Sequence, residues 1–180
     1  MHKNDNAHSL RMVDSLKKNI SSDAAEQFVA EYPLSKSADV VKKFGWAQAT
    51  CNYLEENFAE ETIVKVRKEC RCNDGKSIAN KLLKYLNTAE NIKGFVDSFN
   101  QRESFAQMEY ISENKLLFCY PQCYCACVKR IPQKLSKTWC YCTLGNAEGI
   151  FREVFKKDVN VRLLESIKIG GNRCVIEVEW

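Results

Sequence analysis

Histidine is scarce in this chain, and so are proline and glycine. Of 180 residues, two are histidine, three are proline and seven are glycine. His2 and His8 both lie in an amino-terminal segment that we expect to be frayed. A Ser/His or Cys/His catalytic pair is therefore not expected, because the general base it needs is missing elsewhere. Any catalysis would use thiols, carboxylates, tyrosines or a metal, and no catalytic residue can be named.

Long apolar runs are also lacking. The amino-terminal segment MHKNDNAHSLRMVDSLKKN has no apolar stretch of signal-peptide length. No segment approaches the roughly 18 apolar residues of a membrane span. We therefore expect a cytoplasmic protein with no membrane contact. In that reducing compartment its ten cysteines are expected to be thiols, used for metal or redox chemistry before disulfides.

The net charge of +4 is small for this length and does not predict a nucleic-acid partner. One basic run has no interleaved aromatic residues, and we predict that it is a solvated helix face; it consists of Lys65, Arg67, Lys68 and Arg71. A second basic run lies beside several cysteines and is predicted to stabilise their thiolates; it consists of Lys129, Arg130, Lys134 and Lys137.

The pattern of apolar residues changes near residue 103. Before it, helical spacing predicts helices near 8–20, 22–31, 37–57, 59–70, 75–87 and 89–100. Beyond it, alternating apolar residues predict strands. We predict an α+β fold in which a helical amino-terminal half packs on an antiparallel sheet with one long carboxy-terminal helix. The regions 1–103 and 104–180, the second rich in cysteine, are expected to form one compact unit.

Two hairpins and a helix are expected in the second region. The first hairpin joins 105–111 to 115–119, and the second turns at Gly170 and Gly171 between two alternating apolar strands. The helix is predicted over 143–157. Gly145 and Gly149 lie one turn apart in it and clear a groove, which would allow either close packing on the sheet or a ligand against the backbone.

The segments FCYPQCYCACVKR and WCYC hold six of the ten cysteines. Along a regular strand, alternate thiols lie about 6.6 Å apart, whereas two thiolates on one zinc lie about 3.8 Å apart. A metal site would therefore need a kinked chain or ligands from separate elements. A metal site, a redox or nucleophilic thiol, and buried cysteines acting as small hydrophobes all remain open.

The segment CYCTLGNAEGIFREVFKKDVNVRLLESIKIGGNRC, Cys140 to Cys174, resembles the core of the 4-vinyl reductase domain, a small-molecule-binding α/β module. The shared features are a cysteine before two helix glycines, a V-x-V strand, and a glycine turn before a second cysteine. The segment is also similar to the L-2-amino-thiazoline-4-carboxylic acid hydrolase family and to cysteine-rich proteins with a K-T-[WY]-C-Y-C motif.

The resemblance implies a zinc site. In related phenol-sensing regulators the positions of Cys140 and Cys174 hold zinc, but Ser166 and Leu163 replace the family's other two ligands. Further cysteines would have to complete the site, with Cys119 and Cys127 as alternatives. The predicted zinc ligands are Cys123, Cys125, Cys140, Cys142 and Cys174. An iron–sulfur cluster is the second candidate.

The leading hypothesis is a small-molecule-binding or sensing protein with a structural zinc site. Its ligand pocket is predicted between the glycine face of the helix and the sheet, lined by Trp139, Tyr141, Gly145 and Gly149. The alternative is a hydrolase acting on a small cyclic amide or thiazoline. The open edge of a small sheet would permit a homodimer.

Overall fold

The computed structural model describes residues 3–180, and the fold belongs to the predicted α+β class. Six helices come first: Ala7–Asn19 (α1), Ser22–Glu31 (α2), Val40–Asn57 (α3), Glu60–Glu69 (α4), Lys76–Leu86 (α5) and Ile92–Arg102 (α6). They are followed by Gln107–Ser112 (β1), Lys115–Tyr120 (β2), Lys137–Cys140 (α7), Cys142–Phe155 (α8), Asn160–Glu165 (β3) and Cys174–Glu179 (β4).

The helix starts follow from capping side chains in the sequence. Ser21 accepts a hydrogen bond from the backbone N–H of Ala24, and Asp39 accepts one from that of Lys42. Such caps satisfy donors that the first turn leaves free. The six predicted amino-terminal helices are confirmed, with ends that differ by up to three residues.

The chain forms two compact units. Unit 1 consists of Met1–Cys72 and Tyr124–Gly145, and unit 2 consists of Asn73–Cys123 and Asn146–Trp180. Helix α8 therefore begins in unit 1 and ends in unit 2. The predicted change from helix to strand near residue 103 does occur, between the end of α6 and the start of β1.

Unit 1 is helical. Helix α1 packs on α2 and α4, and α3 and α4 both contact the short α7. Its core contains fully buried apolar side chains from all four long helices, including Met12, Leu16, Phe28, Ala47, Leu54 and Val66. Burying each of the larger side chains, all but Ala47, contributes about 1.5–3 kcal/mol, which holds the helices together.

Unit 2 contains an antiparallel sheet in the order β1-β2-β4-β3. Phe118 of β2 lies opposite Ile176 of β4, and both are fully buried. The ring of Phe151 in α8 packs 5.3 Å from the Phe118 ring, and the ring of Phe155 stacks 3.6 Å from that of Trp180. This aromatic layer fixes the second half of α8 on the sheet.

Three details differ from the expected elements. Strand β3 ends at Glu165, because Ile167–Ile169 forms a turn of 3-10 helix before Gly170, whose φ is 105°. The segment 121–136 contains no strand, so the cysteines there lie on turns and irregular backbone. The four-residue α7 had no clear sequence signal.

Between residues 3 and 180, no helix has both the length and the apolar character needed to cross a membrane.

Candidate functional site

Arg67 is a buried charge in unit 1. Its side chain leaves α4 and is 3% exposed. Its Nε donates to the carbonyl oxygen of Thr138 at 3.3 Å, and its Nη2 donates to that of Trp139 at 2.7 Å. The guanidinium carbon lies 4.4 Å from the centre of the Trp139 ring, which is a cation–π contact. One arginine thus fixes α7 to α4.

Cysteine thiols surround this guanidinium. The Sγ of Cys142 lies 3.6 Å from the Trp139 carbonyl oxygen that also accepts from Arg67. The Sγ of Cys70 lies 3.6 Å from the Sδ of Met12, and that same Sδ lies 4.0 Å from Nη1 of Arg67. The thiols that interact electrostatically with Arg67 include those of Cys51, Cys70, Cys125 and Cys142.

Most of these thiols are protonated at neutral pH. Burial raises the pKa of Cys51 and that of Cys142, each to about 12, and the positive charge of Arg67 offsets only part of this effect. Burial also raises the pKa of Cys70. These groups are therefore S–H donors rather than thiolates, and they leave the arginine charge unbalanced.

No carboxylate balances the charge of Arg67 within residues 3–180. Arg11 of α1 also lacks a carboxylate partner, since its Nη2 lies 3.2 Å from Nδ1 of His8 and 3.7 Å from Sγ of Cys72.

The Nε of Arg11 and the indole Nε1 of Trp139 are both buried, and neither has an acceptor among the described residues. Buried donors are almost always paired, so two orphans in one place require an explanation.

The ring of His8 completes the group, 6.4 Å from the ring of Trp139. Burial, and then the charges of Arg11, Arg67 and Lys43, lower the pKa of His8 to about 4, so His8 is neutral at pH 7. We call this group the Arg67 cluster; it consists of His8, Arg11, Cys51, Arg67, Cys70, Cys125, Trp139 and Cys142.

The predicted zinc site is wrong. In the described part of the chain, no group of three or more His, Cys, Asp or Glu side chains could hold a metal ion. The predicted ligands do not converge on one point, and the Cys142 thiol, for example, donates towards the backbone carbonyl of Trp139. The same finding overturns the iron–sulfur alternative, which also needs several thiolates around one centre.

The predicted ligands lie in different places. Cys125, Cys140 and Cys142 belong to unit 1, whereas Cys123 and Cys174 belong to unit 2. Cys125 and Cys142 are members of the Arg67 cluster. The thiol of Cys127, an alternative ligand, donates to the backbone carbonyl of Lys43 at 3.4 Å. Cys119, the other alternative, lies on β2 in unit 2.

The four predicted pocket residues are mostly buried. Trp139 is 2% exposed beneath Arg67, and the Tyr141 hydroxyl donates to Glu60 at 2.6 Å. At Gly145, the backbone of Lys68 in α4 occupies the space that a side chain would need, so the close approach is to a helix and not to the sheet as expected. Gly149 lies one turn further along α8, in unit 2. The pocket at these residues stays a prediction.

A surface cleft of about 480 Å³ lies in unit 1, where the loop after α2 meets α3. It is a mixed apolar and polar cleft, lined in part by Tyr32, Pro33, Leu34, Lys42, Gly45 and Trp46. We call it the Tyr32–Trp46 cleft. The indole Nε1 of Trp46 donates to the carbonyl oxygen of Tyr32 at 2.9 Å, which joins its two sides. The ring of Trp46 also packs edge-on against Trp139, 5.8 Å away.

Sequence patterns did not identify this site. Arg67 was expected on a solvated helix face, and that prediction is wrong for it, although Lys65 and Arg71 are exposed. The signal that could have found it is helical spacing, because the buried positions of α4 and its cap are Ile63, Val66, Arg67 and Cys70. His8 was expected in a frayed end, but it lies in α1 behind the Asn6 cap. His2 lies outside the described residues.

Comparison with known proteins gives one family. The model of the "Family of unknown function (DUF6144)" matches residues 1–179. No curated protein matches the chain. The predicted resemblance to the 4-vinyl reductase domain and to the thiazoline hydrolase family is wrong as an assignment, since the matching family is neither of these. Their shared segment spans only a fifth of the chain, and short glycine and cysteine patterns recur in unrelated sequences.

Solved structures of H-NOX proteins align along most of the chain. An H-NOX protein from S. oneidensis in the Fe(II)NO ligation state has 10% identity and a TM-score of 0.46, covering 97% of this chain and 98% of its own. A mutant H-NOX protein from K. algicida, Fe(II) unliganded, has 10% identity and a TM-score of 0.47, covering 97% and 96%. A mutant H-NOX from T. tengcongensis has 11% identity and a TM-score of 0.45, covering 95% and 94%. At these TM-scores the alignment assigns neither ligand nor function.

Proposed function

The chain belongs to the DUF6144 family, and we propose that it is a small-molecule-binding domain with a sensing role, whose ligand binds in the Tyr32–Trp46 cleft. The observation that carries the proposal is the cleft itself, which combines apolar walls with an unpaired cation. The hydrolase alternative has no support beyond the overturned family resemblance. A cytoplasmic location and a homodimer stay predictions.

The size of the cleft fits a small organic molecule. Its volume of about 480 Å³ falls within the range of ligand pockets, roughly 300–1,000 Å³. Pro33 and Leu34 provide apolar surface, and Gly45 provides open space, because a Cβ placed there would have no neighbour within 4 Å. A ligand with a body the size of one aromatic ring would cover this surface.

The charges of the cleft favour an anionic group on the ligand. Lys42 forms no ion pair with any residue from 3 to 180, whereas Lys3 is paired with Asp5 at 3.0 Å. Glu31, the acidic residue of the lining, accepts a hydrogen bond from the Tyr32 hydroxyl at 2.6 Å. Lys42 is therefore the unpaired cation among the described residues of the lining, and a carboxylate or similar anion would complement it.

A sensing role is supported by what lies behind the cleft. Trp46 lines the cleft and also contacts Trp139, which in turn lies under Arg67. A ligand that shifts Trp46 would therefore change the surroundings of Trp139 within the same unit. Packed aromatic side chains transmit such shifts because they have few alternative arrangements.

Tryptophan fluorescence tests this proposal directly. In a Trp180→Phe background only Trp46 and Trp139 remain as fluorophores, and both are in unit 1. We expect benzoate to give a saturable change in emission at millimolar concentration, and benzyl alcohol, its neutral analogue, to bind about tenfold more weakly because it lacks the charge. Calorimetry on the unmodified protein provides the affinity independently of the fluorophores.

The matched variants are Gly45→Leu and Gly94→Ala. Gly45→Leu places a side chain into the cleft and improves helix propensity, so it should abolish benzoate binding without lowering the unfolding temperature. Gly94→Ala replaces a helix glycine of α6 that does not line the cleft, and it should bind benzoate normally. Unchanged binding in Gly45→Leu, or equal affinity for benzoate and benzyl alcohol, would contradict the proposal.

A further inference from the structure

We infer that the Arg67 cluster is a binding site for a small, weakly hydrated monovalent anion, separate from the Tyr32–Trp46 cleft. A buried cation is costly unless an anion balances it. In the Arg67 cluster the buried cation is Arg67, and the half-buried Arg11 and Lys43 lie close enough to act on the same His8 ring. None of the three forms an ion pair with a carboxylate within residues 3–180.

The unpaired donors specify what is missing. The Nε of Arg11 and the Nε1 of Trp139 are buried N–H groups without acceptors among the described residues, and Trp139 is only 2% exposed. The backbone carbonyls of Thr138 and Trp139 already accept from Arg67. The cluster thus has surplus donors and surplus positive charge in one place. Only a hydrogen-bond acceptor with negative charge satisfies both.

The cysteines of the cluster do not supply that charge in the resting protein. Cys142 donates towards the Trp139 carbonyl and Cys70 contacts the carbonyl of Val66 at 3.3 Å, which is how a protonated thiol behaves. Burial raises the pKa of both thiols. His8 is neutral as well, and its Nδ1 is the acceptor for Arg11. The negative partner therefore comes from outside the chain.

The kind of anion follows from the donors. Guanidinium groups, an indole N–H and S–H groups are weakly hydrated and polarisable, and the site is buried. A strongly hydrated anion such as fluoride or phosphate would lose more solvation on entry than these donors return. Large monovalent anions lose less, so bromide, thiocyanate or hydrosulfide should bind better than fluoride.

Bromide is the probe for this site, with sodium fluoride at equal ionic strength as the reference salt. We expect sodium bromide to raise the unfolding temperature saturably at millimolar concentration while sodium fluoride does not. The non-specific salt effect has the opposite order, because weakly hydrated anions stabilise folded proteins less than strongly hydrated ones. In bromide-soaked crystals, an anomalous peak should lie at the Arg67 guanidinium.

Two variants with the same change of charge make the assignment specific. Arg67→Met should lose the difference between bromide and fluoride, and Arg130→Met, an exposed arginine of unit 1, should keep it. If Arg67→Met does not fold, Arg11→Gln serves instead and should weaken bromide binding about tenfold. Gly45→Leu should respond to bromide normally, which separates this result from the fate of the cleft.

Three outcomes would overturn the inference. They are equal unfolding temperatures in the two salts for the unmodified protein, a bromide response that survives in Arg67→Met, and anomalous peaks only at surface lysines and arginines. The last would mean an adventitious ion only.

Discussion

Arg67 of unit 1 and Arg173 of unit 2 both lie beside cysteines, but they differ in what balances their charge. In unit 2, Nη1 of Arg173 lies 2.5 Å from Oε1 of Glu109, and the Sγ of Cys119 lies 3.9 Å from the same oxygen. The Arg173 side chain is 40% exposed. In unit 1, Arg67 is buried and has carbonyl oxygens, an indole ring and thiols around it, but no carboxylate among the described residues.

The comparison separates a structural ion pair from an unbalanced charge. Arg173 and Glu109 form a surface pair, which typically contributes less than about 1 kcal/mol because water screens both charges. Arg67 has no such screening, so its charge remains a cost that only hydrogen bonds and the ring offset. The orphan donors of Trp139 and Arg11 are the observation from which we infer that an anion balances this charge.

The largest effect should come from the glycine that brings α8 close to Arg67. In Gly145→Ala the added methyl group would overlap the backbone carbonyl of Lys68, which cannot move without displacing α4. We expect a loss of more than about 3 kcal/mol of unfolding free energy, measured by urea denaturation, because the clash is with backbone. The thiol of Cys142, one turn earlier in α8, should then react faster with iodoacetamide.

The matched change in unit 2 is Gly171→Ala. Its methyl group would meet the side chain of Glu165, which is flexible and can rotate away. The loss of unfolding free energy should stay below about 1 kcal/mol. It would come mostly from weakening the hydrogen bonds that Glu165 accepts from the backbone N–H groups of Asn172 and Arg173. Equal losses in the two variants would show that close packing of α8 on α4 does not control the cluster.

The arginines themselves should give the next largest contrast. Arg67→Met leaves the buried carbonyl groups of Thr138 and Trp139 without their donor, at a cost of about 1–3 kcal/mol. Arg173→Met removes only a partly exposed pair and should cost less than about 1 kcal/mol. Denaturant unfolding in a fluoride buffer measures both. If Arg67→Met proves more stable than the parent chain, the cost of burying the charge exceeds the stabilisation from its two hydrogen bonds. Arg67 would then be kept for a reason other than stability.

Sequence patterns predicted the fold far better than the site. Helical spacing and capping residues such as Ser21 and Asp39 are local signals, and they located six helices to within three residues. The hairpin turn at Gly170 is local too, since its φ of 105° favours glycine. The strand before it was placed too long, because Ile167 and Ile169 alternate as a strand would but form a 3-10 turn.

The Arg67 cluster depends on long-range contacts that no local pattern encodes. Arg67 meets Trp139 across 72 residues of sequence, and Cys127 meets Lys43 across 84. The density of cysteines around Trp139 was visible in the sequence, but it suggested a metal. What reverses that interpretation is the separation of the side chains in the folded protein, because no three possible ligands among the described residues come together, and that is known only once the packing is known.

The smallest of the three contrasts is the contribution of His8 to the dependence of stability on pH, since His8 is the one histidine among the described residues and lies in unit 1. Burial and the nearby cations lower the pKa of His8 from 6.5 to about 4. The unfolded chain then binds the proton more tightly than the folded one, so stability should be complete above pH 6.5 and fall as the pH drops from 6.5 to 4.

On acidification, protonation linked to His8 should lower the unfolding free energy by about 2 kcal/mol, a figure reduced to allow for the partial exposure of the ring. Carboxylates titrate over the lower part of this range, so the contribution of His8 is the difference between the unmodified chain and His8→Gln, measured by urea unfolding at about pH 7 and about pH 4.5. His8→Gln should lose less stability than its parent on acidification, because glutamine cannot take up the proton. If the two curves fall in parallel, the cations of the Arg67 cluster do not control His8.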